Sequence, residues 1–209
     1  AAGMISQMEF VRRVDVQAET IERYVREGKL VPDLVVPMSE HRTFKYFREE
    51  SLLKYADQYG WTLIDDTNRK DLFLDMIRQM DMSYSYKPVL IKAILLYADD
   101  KGRVKLEDIV SYFKFFYEDR RASGMFVEKK NSIFAKGGYT DKEAERNILS
   151  NPFKRFEDMQ MLRHTKTLGI IQVEETVWKH LTRDEKDEIG RICDDKLQHY
   201  YLAQEGKVV

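Results

Sequence analysis

Residues 20–32, TIERYVREGKLVP, decide how the start of this chain is interpreted. A helical pattern with Ile21, Tyr24 and Val25 on one face is interrupted by Gly28, and Pro32 follows four residues later. Glycine readily adopts the left-handed conformation just past a helix C-terminus, and proline does not continue a helix. The stretch therefore predicts a short helix that ends sharply and is held at a fixed angle to its neighbour.

The composition of the 209-residue chain is that of a globular protein. Hydrophobic residues make up 43%, and 35 Lys and Arg against 36 Asp and Glu leave a net charge of −1. Since nucleic-acid-binding domains are usually basic, any such contact has to come from a local patch. The single cysteine, Cys193, favours a reducing, cytoplasmic location. The most apolar run, VLIKAILLYA, is about half a membrane span and no signal peptide is visible, so we expect no membrane association.

Residues 4–62 predict one unit that contains helices and a hairpin. A short helix over SQMEFVRRV precedes the helix of residues 17–28. The next stretch, residues 30–47, is rich in β-forming residues and is interrupted by two prolines, which favours a hairpin or wing over a helix. A further helix is predicted to end at Gly60.

The sequence of residues 63–82 predicts a helical linker, and that of residues 83–205 predicts a second unit. Its predicted order is helix, strand, helix, helix and hairpin, with the hairpin in LRHTKTLGIIQVEETVW (162–178). Thr140 and Thr182 are each followed three residues later by Glu, the spacing of a capping box, and each predicts the start of a helix.

The first unit resembles the MerR/excisionase type of winged helix-turn-helix over residues 5–60. In that family a Thr-Leu pair lies near the start of the second helix, Gly-Leu-Leu-x-Pro follows the helix, and the wing carries Arg before an aromatic residue. The corresponding residues here are Thr20-Ile21, Gly28-Lys29-Leu30-Val31-Pro32 and Arg42-Thr43-Phe44. Two positions depart from the pattern. Glu22 lies where the family commonly has Arg, and Tyr24 alone corresponds to an aromatic pair.

With this resemblance, the predicted fold is mainly α. It consists of an N-terminal winged helix-turn-helix and a second, winged-helix-like α+β domain with short hairpins. In such folds the N-terminal side chains of the second helix reach base edges in the major groove, and the wing contacts the backbone. The candidate DNA-contacting residues of the first unit are Gln17, Glu19, Thr20, Arg23, Tyr24, Arg26, Lys29, Arg42 and Lys45.

The charge of the first unit predicts weak binding by a single copy. Between residues 10 and 48, eight Lys and Arg against six Asp and Glu leave a surplus of only two positive charges. Phosphate affinity rises with the number of phosphates that are neutralised. A homodimer or a second DNA-contacting unit is therefore expected.

A second basic segment covers residues 129–166, where nine Lys and Arg stand against five Asp and Glu. Its first part lies in VEKKNSIFAKGGY (127–139), which is predicted to be irregular. Its last part predicts a helix followed by a wing, with these side chains facing phosphates: Lys154, Arg155, Arg163, His164 and Lys166. The same pattern is also expected of a solvated surface helix and hairpin.

Residues 83–124 loosely resemble accessory segments of bacterial restriction and phage-defence proteins that accompany helicase or nuclease modules. The predicted function is a DNA-binding module, a targeting or regulatory component of a restriction, antiviral defence or DNA-processing system, with double-stranded DNA as its partner. One alternative is a MerR-like transcriptional regulator. Another is a protein–protein adaptor whose helix docks onto a helicase or nuclease partner.

Motifs for catalysis are weak throughout the chain. The four histidines are scattered and there is one cysteine, so no standard structural zinc set can be assembled. Neither of the glycine-rich phosphate-binding patterns, GxxxxGK[ST] and GxGxxG, occurs. Asp119, Glu128 and Lys130 resemble part of a PD-(D/E)xK nuclease site, a spacing that is very common by chance. We therefore expect no enzymatic activity, no metal and no cofactor.

Overall fold

Two units make up the chain in the computed structural model, which describes residues 3–206. The first is the chain up to Arg69 together with residues 158–160, and the second is residues 70–157 together with the chain from Met161 onward. The chain is mainly helical and contains two small antiparallel sheets of three strands each. None of the helices within residues 3–206 is both long enough and apolar enough to cross a membrane.

The first unit consists of three helices and one sheet. In chain order its elements are β1 (Met4–Ser6), α1 (Gln7–Arg12), α2 (Ala18–Arg26), β2 (Leu34–Ser39), β3 (Arg42–Arg48) and α3 (Glu49–Tyr59). The predicted hairpin is confirmed, because β2 and β3 pair in antiparallel register. The sequence did not predict β1, which pairs with β3 and places Ile5 opposite Phe47. The sheet order is therefore β1-β3-β2.

Local chemistry sets the ends of the helices in the first unit. The Ser6 hydroxyl accepts a hydrogen bond from the Glu9 backbone N–H at 3.1 Å, which caps the start of α1. Gly28 has φ +72°, and it follows the end of α2 as predicted. Ile21 is fully buried on the inner face of α2, where it belongs to the same core cluster as Phe10 and Phe47.

The second unit contains the remaining helices and the second sheet. Its elements are α4 (Arg69–Arg78), α5 (Tyr86–Tyr97), β4 (Arg103–Lys105), α6 (Leu106–Ala122), α7 (Ile133–Lys136), α8 (Asp141–Ile148), α9 (Lys154–Asp158), β5 (Leu162–Thr165), β6 (Ile170–Val173), α10 (Glu175–His180) and α11 (Arg183–Glu205). The sheet order is β4-β6-β5. In both units, therefore, the strand that comes last in the chain lies in the centre of the sheet, and it pairs with the first strand on one side and with the second strand on the other.

Several elements of the second unit differ from the prediction. Helix α4, predicted as a linker, belongs to the second unit from Lys70 onward. Its apolar residues Phe73, Leu74 and Ile77 are buried. Residues 175–178, predicted as the end of a strand, begin α10 instead. The reason is that the Glu174 carboxylate accepts a hydrogen bond from the Val177 N–H at 2.9 Å and caps this helix.

The basic stretch of residues 127–139 is not simply irregular. It contains α7, and its Glu128, Ser132 and Phe134 side chains are buried. Both predicted capping boxes are confirmed, with Thr140 and Thr182 capping the starts of α8 and α11. Most residues of α5 are apolar and buried in the core, which explains why VLIKAILLYA is the most apolar run of the sequence.

Candidate nucleic-acid interface

Helix α2 turns its charged face away from the core. Glu19, Arg23 and Arg26 are exposed on this face, while Ile21 is fully buried on the other. Thr20 is half-buried, and its N–H donates to the carbonyl of the N-cap residue Gln17 at 2.9 Å. Glu19, Arg23 and Arg26, all predicted to face DNA, are therefore presented to solvent on the same face of the helix.

The cations at the end of α2 are partly neutralised by Glu27, the residue that follows the helix. Lys29 Nζ lies 2.7 Å from Glu27 Oε2, and Arg23 Nε lies 4.0 Å from the other carboxylate oxygen. The hydrogen bond from Lys29 is the main cause that lowers the pKa of the Glu27 carboxyl. Arg26 makes no ion pair within residues 3–206. A phosphate that approaches Lys29 or Arg23 therefore competes with a carboxylate already in place.

Tyr24, a predicted phosphate ligand, has its ring in an aromatic cluster. The ring centroid lies 5.1 Å from that of Tyr59 on α3 and 5.8 Å from that of Trp61. The Lys29 ammonium lies 5.1 Å from the same Tyr24 ring, and the Tyr59 hydroxyl donates to the Lys29 carbonyl at 3.0 Å. The ring is half-buried and packs α2 against α3, a role that its position in the helical pattern could have indicated.

The β2–β3 hairpin combines two cations with an apolar surface. Arg42 is exposed and Lys45 is half-buried, and neither makes an ion pair within residues 3–206. Around them, Val35 is 46%, Met38 61% and Phe44 50% exposed. Charge alone therefore does not describe what this hairpin offers to a partner.

A groove of 460 Å³ lies in the second unit between α8, the turn that follows it, and β5. Its cationic lining residues are Lys142 and Arg146 of α8 and Lys166 beyond β5, and none of the three makes an ion pair within residues 3–206. Glu145 and Glu157 also line the groove, so these charged groups leave a surplus of one positive charge. The structure thus brings three cations that make no ion pair within residues 3–206 to one cavity.

The sequence predicted only part of this groove. Lys166 and His164 were both predicted to face phosphates, and both line the groove. The ring centroid of His164 lies 6.0 Å from that of the buried Phe153. Lys142 and Arg146 were missed as site residues, although their spacing of four residues places both on one face of a helix. That spacing was the available signal.

The other predicted cations of the second unit lie outside the groove lining. Lys154 and Arg155 are exposed on α9, and Lys154 Nζ lies 4.0 Å from Glu157 Oε1. Arg163 donates to the Gln172 side-chain oxygen at 2.9 Å, a cross-strand contact between β5 and β6. These side chains lie at the surface, and none of them lines the groove described above.

The nuclease-like residues do not form a site. Glu128 is buried, and its carboxylate accepts hydrogen bonds from the Ser85 N–H at 2.9 Å, the Ser85 hydroxyl at 2.6 Å, the Lys129 N–H at 2.8 Å and the Tyr200 hydroxyl. Asp119 and Lys130 are exposed instead. Within residues 3–206, no group of three or more His, Cys, Asp or Glu side chains is placed to hold a metal ion. Glu128 therefore belongs to a structural network that holds the 127–139 segment to the helices.

No family model matches the chain, and comparison with curated proteins and with solved structures likewise finds no match.

Proposed function

We propose that this chain is a non-catalytic DNA-binding module that contacts double-stranded DNA through a helix and a hairpin in each of its units. The observation that carries the proposal is the sheet order shared by the two units, β1-β3-β2 and β4-β6-β5. In each, helices separate the first strand from a hairpin whose second strand pairs back to it. This order is compatible with a winged helix, in which a helix reads the major groove and the hairpin contacts the backbone, and it supports the proposal for that reason.

In the first unit, α2 enters the major groove with Glu19, Thr20, Arg23 and Arg26, and the hairpin steadies it on the backbone with Arg42 and Lys45. The partial neutralisation of α2 by Glu27 keeps the affinity of this unit low. In the second unit, Lys142, Arg146 and Lys166 add phosphate contacts, since none of these cations makes an ion pair within residues 3–206. The two units together supply the affinity that one alone lacks.

The proposed setting is a bacterial restriction, antiviral defence or DNA-processing system in which this module targets or regulates a larger complex. It rests on the resemblance of residues 83–124 to accessory segments of such proteins. A MerR-like transcriptional regulator is less well supported. Regulators of that family dimerise through a long helix after the DNA-binding unit, whereas α4 is ten residues long and packs with the second unit.

The test is fluorescence anisotropy of the whole chain on a random-sequence 30-base-pair duplex, titrated from low to physiological salt. We expect a steep salt dependence whose log–log slope falls by roughly one for each phosphate contact removed. Lys142→Ala/Lys166→Ala and Arg26→Ala/Arg42→Ala should each flatten the slope, whereas the exposed Lys179→Ala should not. Absence of binding at low salt, or a slope that no variant changes, would contradict the proposal.

The exposed apolar residues of the first hairpin favour a second candidate function, that of a protein–protein adaptor for a helicase or nuclease partner. Exposed apolar side chains favour interaction with a protein partner, and Met38 and Phe44 are 61% and 50% exposed. An adaptor shows no salt-dependent affinity for DNA, so the same titration separates the two functions.

A further inference from the structure

The hairpin of β5 and β6 carries an exposed leucine at its tip. The strands are joined by a 3-10 turn, Lys166–Leu168, and Leu168 is 68% exposed. Gly169 follows with φ +59°, and its carbonyl accepts a hydrogen bond from the N–H of Leu106, the buried first residue of α6, at 2.8 Å. The base of the turn is therefore anchored, while the leucine itself contributes nothing to the core.

The surroundings of Leu168 suit a polyanion. Residues 159–173 include no Asp or Glu, and Arg163 and Lys166 are both exposed in this hairpin. Lys166 also lines the groove that holds Lys142 and Arg146. Other exposed leucines of the chain, such as Leu96 and Leu202, lie on helices, whereas Leu168 lies in a turn that begins with the exposed Lys166.

We infer that Leu168 is an apolar wedge that enters the stack of base pairs when the hairpin binds duplex DNA. Apolar side chains that insert at a base step partly unstack it and kink the duplex, and the cost is offset by the contacts that the bent DNA makes. Lys166, Lys142 and Arg146 are placed to make those contacts with phosphates. This inference rests on the proposed function and names the preferred substrate, which is duplex DNA weakened at one step.

The experiment compares the affinity of the whole chain for a 30-base-pair duplex and for the same duplex with one central mismatch. Unstacking costs least at a mismatched base, so the wild-type chain should prefer the mismatched duplex by about tenfold. Leu168→Ser should bind the two duplexes with equal affinity and keep its salt slope, because the cations that contact phosphates are unchanged. A 2-aminopurine placed beside the mismatch should brighten on binding of the wild-type chain and not of Leu168→Ser.

Two control variants separate the wedge from the charge. Lys166→Ala should weaken binding to both duplexes, lower the salt slope by about one and keep the preference. Leu202→Ser, which removes another exposed leucine, should behave as wild type. If Leu168→Ser keeps the preference, or if the wild-type chain has none, the wedge is wrong although DNA binding stands. If neither duplex binds, the proposed function and the wedge are both wrong.

Discussion

Lys29 and Glu27 form an ion pair at the end of helix α2, with 2.7 Å between Nζ and Oε2. Because Arg23 approaches the same carboxylate, two of the cations expected to contact DNA share one counterion that the protein itself supplies. Both cationic side chains remain about half exposed, so the pairs are accessible to a competing phosphate. An anion that binds either cation must therefore compete with the Glu27 carboxylate.

Glu27→Gln should tighten DNA binding by roughly threefold to tenfold at low salt, because it releases both cations for phosphate contacts and makes the salt slope steeper. Glu22→Gln is the matched control. Glu22 is exposed on the same helix and makes no ion pair within residues 3–206, so its loss removes the same charge without freeing a cation. Equal gains from the two variants, measured by anisotropy over a salt series, would show that the pairing is irrelevant.

Gly102→Ala should destabilise the second unit strongly. Gly102 has φ +74°, and a Cβ atom there would lie 2.7 Å from Cγ of the buried Trp178. Gly124→Ala is the matched control, since φ is +67° but no atom lies within 4 Å of the added Cβ. Conformational strain alone costs about 1–2 kcal/mol, so Gly124→Ala should lose about that amount and Gly102→Ala clearly more. Equal urea midpoints for the two variants would show that the packing against Trp178 is not tight.

Glu128→Ala should cost about 3 kcal/mol or more of unfolding free energy in the second unit. It leaves the buried donors of Ser85 and Tyr200 without their acceptor, and such unsatisfied groups cost about 1–3 kcal/mol each. Lys130→Ala, at an exposed side chain two residues away, should change stability by no more than about 0.5 kcal/mol. Urea unfolding followed by tyrosine and tryptophan fluorescence measures both. A Glu128→Ala protein as stable as Lys130→Ala would contradict the structural role of this carboxylate.

Stability should fall as pH rises from about 10 toward 12. Burial raises the pKa of Tyr86 to about 12, and burial also raises the pKa of Tyr117, Tyr200 and Tyr201 above the ordinary value. Above about pH 10 the unfolded chain releases tyrosine protons that the folded chain retains, so unfolding becomes more favourable. Below about pH 10 these tyrosines are neutral in both states, and their contribution to stability is fully present.

Urea midpoints measured at intervals across this alkaline range test the prediction. Tyr86→Phe should flatten the decline because it removes one of the responsible groups, whereas Tyr97→Phe, at an exposed side chain, should not. A midpoint that stays constant across the range, or an unchanged slope in Tyr86→Phe, would contradict it.

The sequence alone determined the features that depend on a few neighbouring residues. The sharp end of α2 follows from Gly28, and the starts of α1, α8 and α11 follow from Ser6, Thr140 and Thr182. Caps and left-handed glycines act within about one helical turn, so they can be recognised in a linear pattern. The hairpins were predictable for the same reason, since each lies in one short stretch of chain.

Tertiary structure alone decided the rest. Strand β1 is three residues long, too short to show an alternating pattern, and it exists because strand β3 offers it a partner far along the chain. In the sequence Glu128 resembles part of a basic surface loop. In the structure its carboxylate accepts hydrogen bonds from Ser85 and Tyr200, which are 43 and 72 residues away in the chain. Lys142 and Arg146 join Lys166 only because α8 and β5 meet at one groove. Burial and charge pairing depend on contacts between residues far apart in the chain, which no local pattern records.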